Sequence, residues 1–248
     1  MQTHRPMLAF DIETTGLNAA KGDRCTVVCA EDWLTRTQHC FEFERHRADP
    51  ATTETLLAQM CQLFDEAQSL SAFNGLAFDI PFLQQCFGLP PQQTAAWAAK
   101  TLDIYARCKA TKAPTFSLNM LCEFNNVPAK ISSGCEAIGM AERGEWDSLT
   151  EYCARDVTIL NDLLDRRTLL HPCTHCVLDL ALWSPAYIYP EAAHETPEQI
   201  NARHVAAKNF ILQAFQERVD AHLALQQATK LALPRPPLEL EAARLEAQ

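Results

Sequence analysis

A short apolar segment that ends in two acidic residues is the most restrictive feature of this sequence. Residues 7–12 read Met-Leu-Ala-Phe-Asp-Ile, and a Thr-Thr-Gly turn follows shortly after, so a central strand is predicted. Asp11 and Glu13 are two residues apart, and on a strand both side chains leave the same face. Two like charges at the end of a buried strand need either a cation between them or solvent around them. The segment therefore indicates a divalent metal site, with a solvated strand end as the alternative.

Composition and length restrict the class of protein. With 248 residues, 48% of them hydrophobic and only 7 glycines, the chain suits one large domain or one domain with an extension. No apolar stretch approaches the ~20 residues of a membrane span, and the N-terminus lacks the features of a secretory signal. We therefore expect an intracellular protein that does not act at a membrane. The 11 cysteines are irregularly spaced, and we expect reduced thiols instead of a disulfide framework.

The charge distribution bears on nucleic-acid binding. The net charge of −10 disfavours a broad, salt-dependent nucleic-acid surface, but it is compatible with a narrow site at which metal ions supply positive charge. Between positions 98 and 130, five basic residues stand against two acidic ones, which predicts either a phosphate-binding groove or a solvated loop. The basic residues are Lys100, Arg107, Lys109, Lys112 and Lys130.

Hydrophobic periodicity divides the chain into strands and helices. Three apolar segments with short connections, at 7–12, 25–30 and 38–43, predict an antiparallel meander. Helical spacing then begins after a start signal at Thr52 and Thr53, and helices alternate with further strands. The predicted fold class is α/β, with a mixed sheet and helices on its faces. The other predicted strands are 69–73 and 101–105, and the other predicted helices are 80–87, 117–125 and 146–166.

The pattern changes after His171, which predicts a core domain at 1–170 and a helical C-terminal extension at 171–248. A proline-rich stretch at 184–197 is predicted to be a connecting loop. From Pro197 to about Leu231, apolar spacing predicts one or two amphipathic helices, followed by a mobile acidic tail at 239–248.

A second segment of interest reads Phe-Asn-Gly-Leu-Ala-Phe-Asp-Ile-Pro-Phe at 73–82 and contains Asp79. The predicted strand and helix place it at a strand-to-helix junction. Metal binding and simple capping of the helix that contains Pro81 are equally compatible with that position.

Another carboxylate, Asp156, interrupts the apolar face of a predicted helix. The residues Leu149, Tyr152, Asp156 and Leu160 fall at steps of three and four, so they share one face. A charge in the middle of an apolar face needs a partner. The partner is either a metal ion shared with Asp11 and Glu13 or an arginine in an internal salt bridge.

Together, the three segments resemble the three motifs of the DEDD exonucleases, and the resemblance covers roughly residues 7–165. Asp11-x-Glu13 followed by Thr-Thr-Gly-Leu is similar to the first motif, and Asn74-x(3)-Phe78-Asp79 to the second. Tyr152-x(3)-Asp156 is similar to the tyrosine form of the third motif, which defines the DEDDy branch. Glu151 stands where the other branch has histidine. The amino-acid sequences of the first two motifs resemble those in the proofreading domain of family B DNA polymerases and its stand-alone relatives.

The resemblance implies an RNase H-like fold, with three antiparallel strands followed by parallel ones in a five-stranded sheet. It further implies two divalent cations, Mg²⁺ or Mn²⁺: Asp11 bridges both, Glu13 and Asp156 complete one, and Asp79 serves the other through water. Tyr152 would orient the attacking water, since a phenol of pKa ≈ 10 is a poor base at neutral pH. The implied reaction removes nucleoside 5′-monophosphates from the 3′ end of nucleic acid, with single-stranded DNA favoured.

Substrate contacts and partners also follow from the resemblance. Thr14, Thr15 and Asn74 would approach the 3′ end, and Leu17 and Phe78 would contact terminal bases, together with Phe82. The simpler interpretation places both phenylalanines in the core. A polymerase or another replication or repair protein is a possible partner.

Two alternative functions and one further metal site stay open. A ribonuclease D-like RNA exonuclease shares the tyrosine branch, and a catalytically idle binding module would use the C-terminal helices as a docking face. Cys173 and Cys176 form half of a possible zinc site, although no second pair of cysteines has matching spacing.

Overall fold

The strand that carries Asp11 and Glu13 lies in the middle of the sheet, as the sequence predicts. In a computed structural model, which describes residues 5–110, 114–128, 134–183, 189 and 194–232, the main sheet has five strands in the order β3-β2-β1-β4-β5. The first three strands form the predicted antiparallel meander, while β4 pairs with β1 and β5 with β4 in parallel. The strands are β1 Met7–Thr14, β2 Cys25–Asp32, β3 Gln38–Glu42, β4 Ser69–Ala72 and β5 Thr101–Asp103.

Alternation along β1 assigns the acidic residues to one face of the sheet. Phe10 points toward the helices that connect β3 to β4 and β4 to β5, where its ring lies 5.1 Å from Phe64, which in turn lies 5.1 Å from Trp97. Ala9 belongs to the core on the opposite face. Since side chains alternate between faces, Asp11 and Glu13 lie on the same side as Ala9.

The first face is covered by three helices, and one of them starts earlier than predicted. Asp49, not Thr52 or Thr53, is the N-cap of α1 (Pro50–Glu66), and its side chain accepts a hydrogen bond from the backbone N–H of Thr52. The proline at position 50 fits the first helical turn because it needs no N–H partner there. The other two helices on this face are α2 (Asp79–Phe87) and α3 (Pro91–Ala99), of which only α2 was predicted.

The opposite face is covered mainly by α7 (Trp146–Asp165), which packs on β1, β2 and β3. A buried polar contact fixes it there: Glu31 of β2 accepts hydrogen bonds from Thr158 Oγ1 at 2.7 Å and from Asn161 Nδ2 at 2.9 Å. Both donors are within five residues of Asp156, so the register of α7 against the sheet is fixed close to that carboxylate. The remaining helices of the core are α4 (Ile104–Ala110), α5 (Leu118–Phe124) and α6 (Gly134–Arg143).

The C-terminal part contains a strand pair that the periodicity did not predict. β6 (Thr168–Leu170) and β7 (Val177–Asp179) pair antiparallel and are followed by α8 (Leu180–Trp183) and α9 (Pro197–Ala232). Three residues are too few to give a period-of-two signal. The helical character of the region is confirmed, with one continuous helix of 36 residues in place of one or two.

An ionic contact joins α9 to β7. Arg203 donates to the buried Asp179 at 2.8 Å and to Glu195 at 2.9 Å, and His204 lies 2.6 Å from the same Asp179 oxygen.

Most of the predicted loop at 184–197 and the whole acidic tail fall outside the described residues. Among the described helices, none is both long enough and apolar enough to span a bilayer.

Candidate metal centre

Three of the four predicted carboxylates meet between β1 and α7. One ligand oxygen from each of Asp11, Glu13 and Asp156 lies within 4.8 Å of the other two. Asp11 and Glu13 reach this point because they share one face of β1. Asp156 reaches it from the helix that covers that face.

The cluster combines close like charges with partial burial. Asp156 is buried, and Asp11 and Glu13 are half-buried. At an effective dielectric constant of 20, two unit charges at such a distance repel each other by about 3 kcal/mol. Cations between the oxygens would remove that repulsion, and a set of carboxylate oxygens is the donor type that Mg²⁺ and Mn²⁺ prefer.

The fourth carboxylate, Asp79, stands at the start of a helix that covers the opposite face of the sheet. It is the first residue of α2, while Phe78 occupies the N-cap position, so it does not act as the predicted alternative cap. Its side chain is buried, and its Oδ2 atom has no hydrogen-bond partner among the described residues. Burial and, to a smaller extent, the charges of Asp11, Asp103 and Glu13 raise the pKa of Asp79 well above its ordinary value. Asp79 is therefore an electrostatic neighbour of the cluster, although it is not one of the three mutually close ligands.

The loop before Asp79 requires glycine at one position. A Cβ atom at Gly75 would lie 2.5 Å from the Cβ of Ala72 and 3.0 Å from Asp79 Oδ2. Both distances are too short for an ordinary contact. The glycine therefore lets the loop pass close to β4 and brings the Asp79 carboxylate toward the sheet.

Asp103 is a residue of this region that the sequence interpretation missed. It ends β5, and its carboxylate accepts hydrogen bonds from the backbone N–H groups of Asn74, Leu76 and Ala106 at 3.0, 2.9 and 2.9 Å. The first two belong to the loop that leads to Asp79. An available signal was the carboxylate itself, which interrupts the strand predicted at 101–105.

The predicted substrate contacts on the first motif differ in their exposure. The hydroxyl of Thr14 donates to the Gly16 carbonyl at 2.6 Å, and that of Thr15 accepts from the Arg24 N–H at 2.9 Å. Both hydroxyls thus stabilise the turn after β1. The Leu17 side chain projects from this turn and is 80% exposed.

The second motif contributes one half-buried and one buried aromatic ring. Phe78 lies 5.4 Å from Phe82, centroid to centroid, at the start of α2. Phe82 belongs to the core, as the simpler interpretation stated. Asn74 adopts the left-handed conformation, with φ of 72°, and its backbone N–H is held by Asp103.

Tyr152 lies one helical turn before Asp156 on α7 and contributes to the core there. Tyr152 also lines a cleft of about 840 Å³ between α7, α6 and β3. Cys40, Glu42, Met140 and Arg155 line the same cleft. Tyr152 thus connects the buried face of α7 with an open surface.

One of the five basic residues of the predicted groove, Lys100, binds backbone carbonyls in the structure. The ammonium group of Lys100 donates to the carbonyls of Phe64, Asp65 and Ala67 at 2.6, 3.0 and 2.7 Å, so it caps the C-terminal end of α1. Arg107 and Lys109 are exposed on α4. Lys112 and Lys130 fall outside the described residues.

The possible zinc site on the β6–β7 turn is less complete than the acidic cluster. Cys173 and Cys176 are exposed, and the nearby His171 uses its Nδ1 atom to accept from the backbone N–H groups of Cys173 and Thr174. Within the described ranges, the acidic cluster alone brings three or more potential ligands within reach of one ion. Among the described residues, the two cysteines therefore lack the further ligands that structural zinc requires.

Comparisons with known proteins give a superfamily match and a similar solved structure. A family model of the RNase H superfamily matches residues 8–133. A comparison with curated proteins finds no match. Among solved structures, the family B DNA polymerase of the hyperthermophilic archaeon Pyrobaculum calidifontis matches with 17% identity and a TM-score of 0.48. The alignment covers 66% of this chain and 25% of the polymerase, so the chain spans about a quarter of that protein's length.

Proposed function

The chain belongs to the RNase H superfamily, and on that premise we propose that it is a metal-dependent 3′–5′ exonuclease of the DEDDy type. The observation that supports this proposal most directly is the meeting of Asp11, Glu13 and Asp156 within 4.8 Å. These residues come from a strand and a helix far apart in the chain. Asp79 is buried, and the charges of Asp11 and Glu13 contribute to its raised pKa, so in this proposal it is the fourth carboxylate of the site.

The residues fit two divalent cations, and Mg²⁺ or Mn²⁺ is the expected pair. The donors are all carboxylates, and Asp79 Oδ2 is buried without a hydrogen-bond partner among the described residues, which leaves it ready to accept one from a coordinated or bridging water. When bound, such ions polarise a phosphodiester and make a nucleophilic water available near neutral pH. In this proposal Asp11, Glu13 and Asp156 would hold the ions, and Asp79 would complete the site through a hydrogen bond with water.

Tyr152 has a positioning role in the proposed reaction. It stands one turn before Asp156 on α7, between the acidic cluster and an open cleft. A phenol with a reference pKa of about 10 keeps its proton at neutral pH, so it can donate a hydrogen bond that orients the water. The residue is therefore expected to raise the rate without being indispensable.

The proposed substrate is the 3′ end of single-stranded DNA, cleaved to nucleoside 5′-monophosphates. The exposed Leu17 and the half-buried Phe78 stand on the two segments that carry Glu13 and Asp79, so both can meet terminal bases. Thr14, Thr15 and Asn74 would contribute mainly backbone groups, since the threonine hydroxyls already bind the turn. The net charge of −10 favours a short footprint in which the ions supply most of the positive charge.

The test is a time course on 5′-labelled single strands of DNA and of RNA with matched sequence, in Mg²⁺, Mn²⁺ and EDTA. Wild-type protein should shorten the DNA one nucleotide at a time and should be inactive in EDTA, and Asp11→Ala should be inactive throughout. Asp220→Ala, which removes an exposed carboxylate on α9, is the matched control and should retain wild-type rates.

The same experiment separates the alternatives. Preferential shortening of the RNA strand would favour the ribonuclease D-like function. Equal rates for Asp11→Ala and wild type would refute the site. No cleavage of either strand, together with retained binding to the labelled strand, would favour an idle binding module.

A further inference from the structure

A row of side chains crosses three strands of the sheet and ends at the acidic cluster. Asp11 of β1 is the register partner of Cys29 of β2, and Cys29 is the register partner of Cys40 of β3. Directly opposed residues point to the same face, so the carboxylate and the two thiols form one line on the face covered by α7.

The two thiols are already in contact. Cys29 Sγ and Cys40 Sγ lie 2.8 Å apart. Opposed residues of antiparallel strands have Cα atoms about 4.5 or 5.5 Å apart, and both separations fall in the range that a disulfide bridges. Joining the sulfur atoms therefore requires no movement of the strands.

A third cysteine connects this pair with the metal centre. The Cys153 thiol, on α7, lies 3.5 Å from the backbone carbonyl oxygen of Asp11 and 4.0 Å from its Oδ2 atom. Cys153 also forms a hydrogen bond with Cys29. The contacts thus run from Cys40 through Cys29 and Cys153 to the Asp11 carboxylate.

The pair has one accessible and one buried member. Cys40 is half-buried and lines the cleft of about 840 Å³, whereas Cys29 is buried. The hydrogen bond that Cys29 donates lowers the pKa of the Cys40 thiol, and hydrogen bonds to Cys153 and Cys40 together with burial raise the pKa of Cys29. Cys40 is thus the reactive thiol and Cys29 is the one that resolves its oxidation.

We propose that Cys29 and Cys40 are an oxidisable dithiol that hydrogen peroxide converts into a cross-strand disulfide, and that Cys153 transmits this change to Asp11. The coupling to Asp11 rests on the proposed function, but the formation of the disulfide does not. In a reducing compartment the pair stays reduced until an oxidant arrives.

The chemistry requires one peroxide molecule for each disulfide. The Cys40 thiolate attacks one peroxide oxygen, the O–O bond breaks, and Cys40 sulfenic acid and hydroxide form. The Cys29 sulfur then attacks the Cys40 sulfur, the S–O bond breaks, and water leaves as the S–S bond forms. Two thiols lose two electrons in total, and the peroxide is reduced to two molecules of water.

The disulfide would change the surroundings of Asp11. Once Cys29 is bonded to Cys40, its sulfur carries no hydrogen and can no longer donate to Cys40 or to the Thr150 carbonyl, which lies 3.7 Å away in the reduced protein. Cys153 then loses its thiol partner. Because Cys153 touches both the main chain and the carboxylate of Asp11, the oxidised protein should bind divalent cations less tightly.

The first test is chemical and needs no nuclease activity. Full-length protein is treated with hydrogen peroxide, free thiols are alkylated, and peptides are mapped by mass spectrometry with and without dithiothreitol. We expect a peptide pair linked through Cys29 and Cys40 that dithiothreitol releases. Cys61→Ser, which replaces a half-buried thiol on α1, should still form it, and Cys40→Ser should not. Full alkylation of Cys29 and Cys40 after peroxide would overturn the proposal.

The second test measures Mn²⁺ affinity by electron paramagnetic resonance, which again does not depend on substrate turnover. Loss of an outer partner of a metal ligand typically weakens binding 10- to 100-fold, so oxidised wild-type protein should bind Mn²⁺ about tenfold more weakly than reduced protein. Peroxide-treated Cys40→Ser should keep the affinity of its reduced form. Equal Mn²⁺ affinities of reduced and disulfide-linked wild type would overturn the coupling to Asp11. An equal loss in Cys40→Ser would overturn the assignment to this dithiol. If Mn²⁺ does not bind even to reduced protein, the metal centre itself is wrong, while the peptide map still decides the disulfide.

Discussion

The carboxylate of Asp103, at the end of β5, accepts a hydrogen bond of 3.0 Å from the backbone N–H of Asn74, just beyond the end of β4. Asn74 adopts a left-handed backbone conformation, which is unfavourable for most residues other than glycine. Asp103 binds Leu76 in the same loop as well. The two hydrogen bonds therefore hold the loop in a path that brings Asp79 toward the acidic cluster.

Replacing Asp103 should disorder this loop. Asp103→Ala leaves three backbone N–H groups without their acceptor, and hydrogen bonds to charged groups are worth about 1.5–3 kcal/mol each at most. We expect a loss of stability of that order and a loss of Mn²⁺ affinity, measured by thermal unfolding and by Mn²⁺ titration. Asp32→Ala, which removes a similar buried carboxylate from the β2–β3 turn, should lower stability alone. If both variants bind Mn²⁺ as wild type does, Asp103 has no positioning role.

Tyr152→Phe should slow the exonuclease reaction without abolishing it. The substitution removes one hydroxyl that orients a water, and a loss of 1–3 kcal/mol corresponds to a rate reduction of roughly 5- to 160-fold. Single-turnover rates of wild type and variant on labelled DNA measure this reduction. Tyr105→Phe, at a half-buried ring on α4, should be unaffected. A complete loss in Tyr152→Phe would mean that the hydroxyl takes part in bond breaking.

Asp79→Asn should stabilise the protein when metal is removed. Burial, together with the charges of Asp11, Asp103 and Glu13, raises the pKa of Asp79 in the folded state. A carboxyl with a raised pKa binds protons more tightly when folded, so the free energy of unfolding in EDTA falls as the pH rises above about 4. At pH 7 in EDTA the variant should melt at a higher temperature, by about 2–4 °C for each kcal/mol relieved. The difference should shrink toward pH 4, and a pH-independent difference would contradict this explanation.

Mn²⁺ should raise the melting temperature of wild type but not of Asp156→Asn. A ligand at a hundred times its Kd stabilises the folded state by about 2.7 kcal/mol, or roughly 5–10 °C for a domain of this size. The comparison is the Mn²⁺-dependent shift in each protein, because removal of a buried charge alters the starting temperature. Asp147→Asn, on the same helix with a side chain that is 90% exposed, should shift as wild type does. A full shift in Asp156→Asn would exclude this residue as a ligand.

Arg203→Ala should loosen α9 from the strand pair. The guanidinium group binds Asp179, Glu195 and Thr168, and Asp179 is buried. Leaving that carboxylate without its main donor should cost about 1.5–3 kcal/mol. Hydrogen exchange should show faster exchange in α9 and β7, with the sheet that carries Asp11 unchanged. Uniform protection in α9 would show that other contacts hold the helix.

The sheet was predictable because its strands have strong and distinct patterns. The apolar segment at 7–12 is typical of a strand that is buried on both faces in the middle of a sheet. The connections to the next two strands are short, and short connections favour antiparallel pairing. The same alternation put Asp11 and Glu13 on one face. The spacing of Tyr152 and Asp156 along an apolar face then indicated which helix would supply the third carboxylate.

Contacts that depend on the main chain of distant segments could not be predicted. Lys100 counts as a free positive charge in a sequence, but in the structure it binds three carbonyls at the end of α1. Asp103 has no motif of its own, since its partners are backbone N–H groups of a loop. The row of Asp11, Cys29 and Cys40 needs the exact strand register, and periodicity gives strand positions only to within a few residues.

The three clustered carboxylates divide between β1 and α7, and the family match ends at residue 133, before α7 begins. A truncated protein designed from that boundary would keep Asp11, Glu13 and Asp79 and would lack both Asp156 and Tyr152. Such a truncation would also uncover the apolar face of the sheet on which α7 packs. The shortest fragment that contains all four carboxylates and Tyr152 therefore has to extend to the end of α7, at Asp165. Expression trials and sequence searches for related proteins should use that boundary.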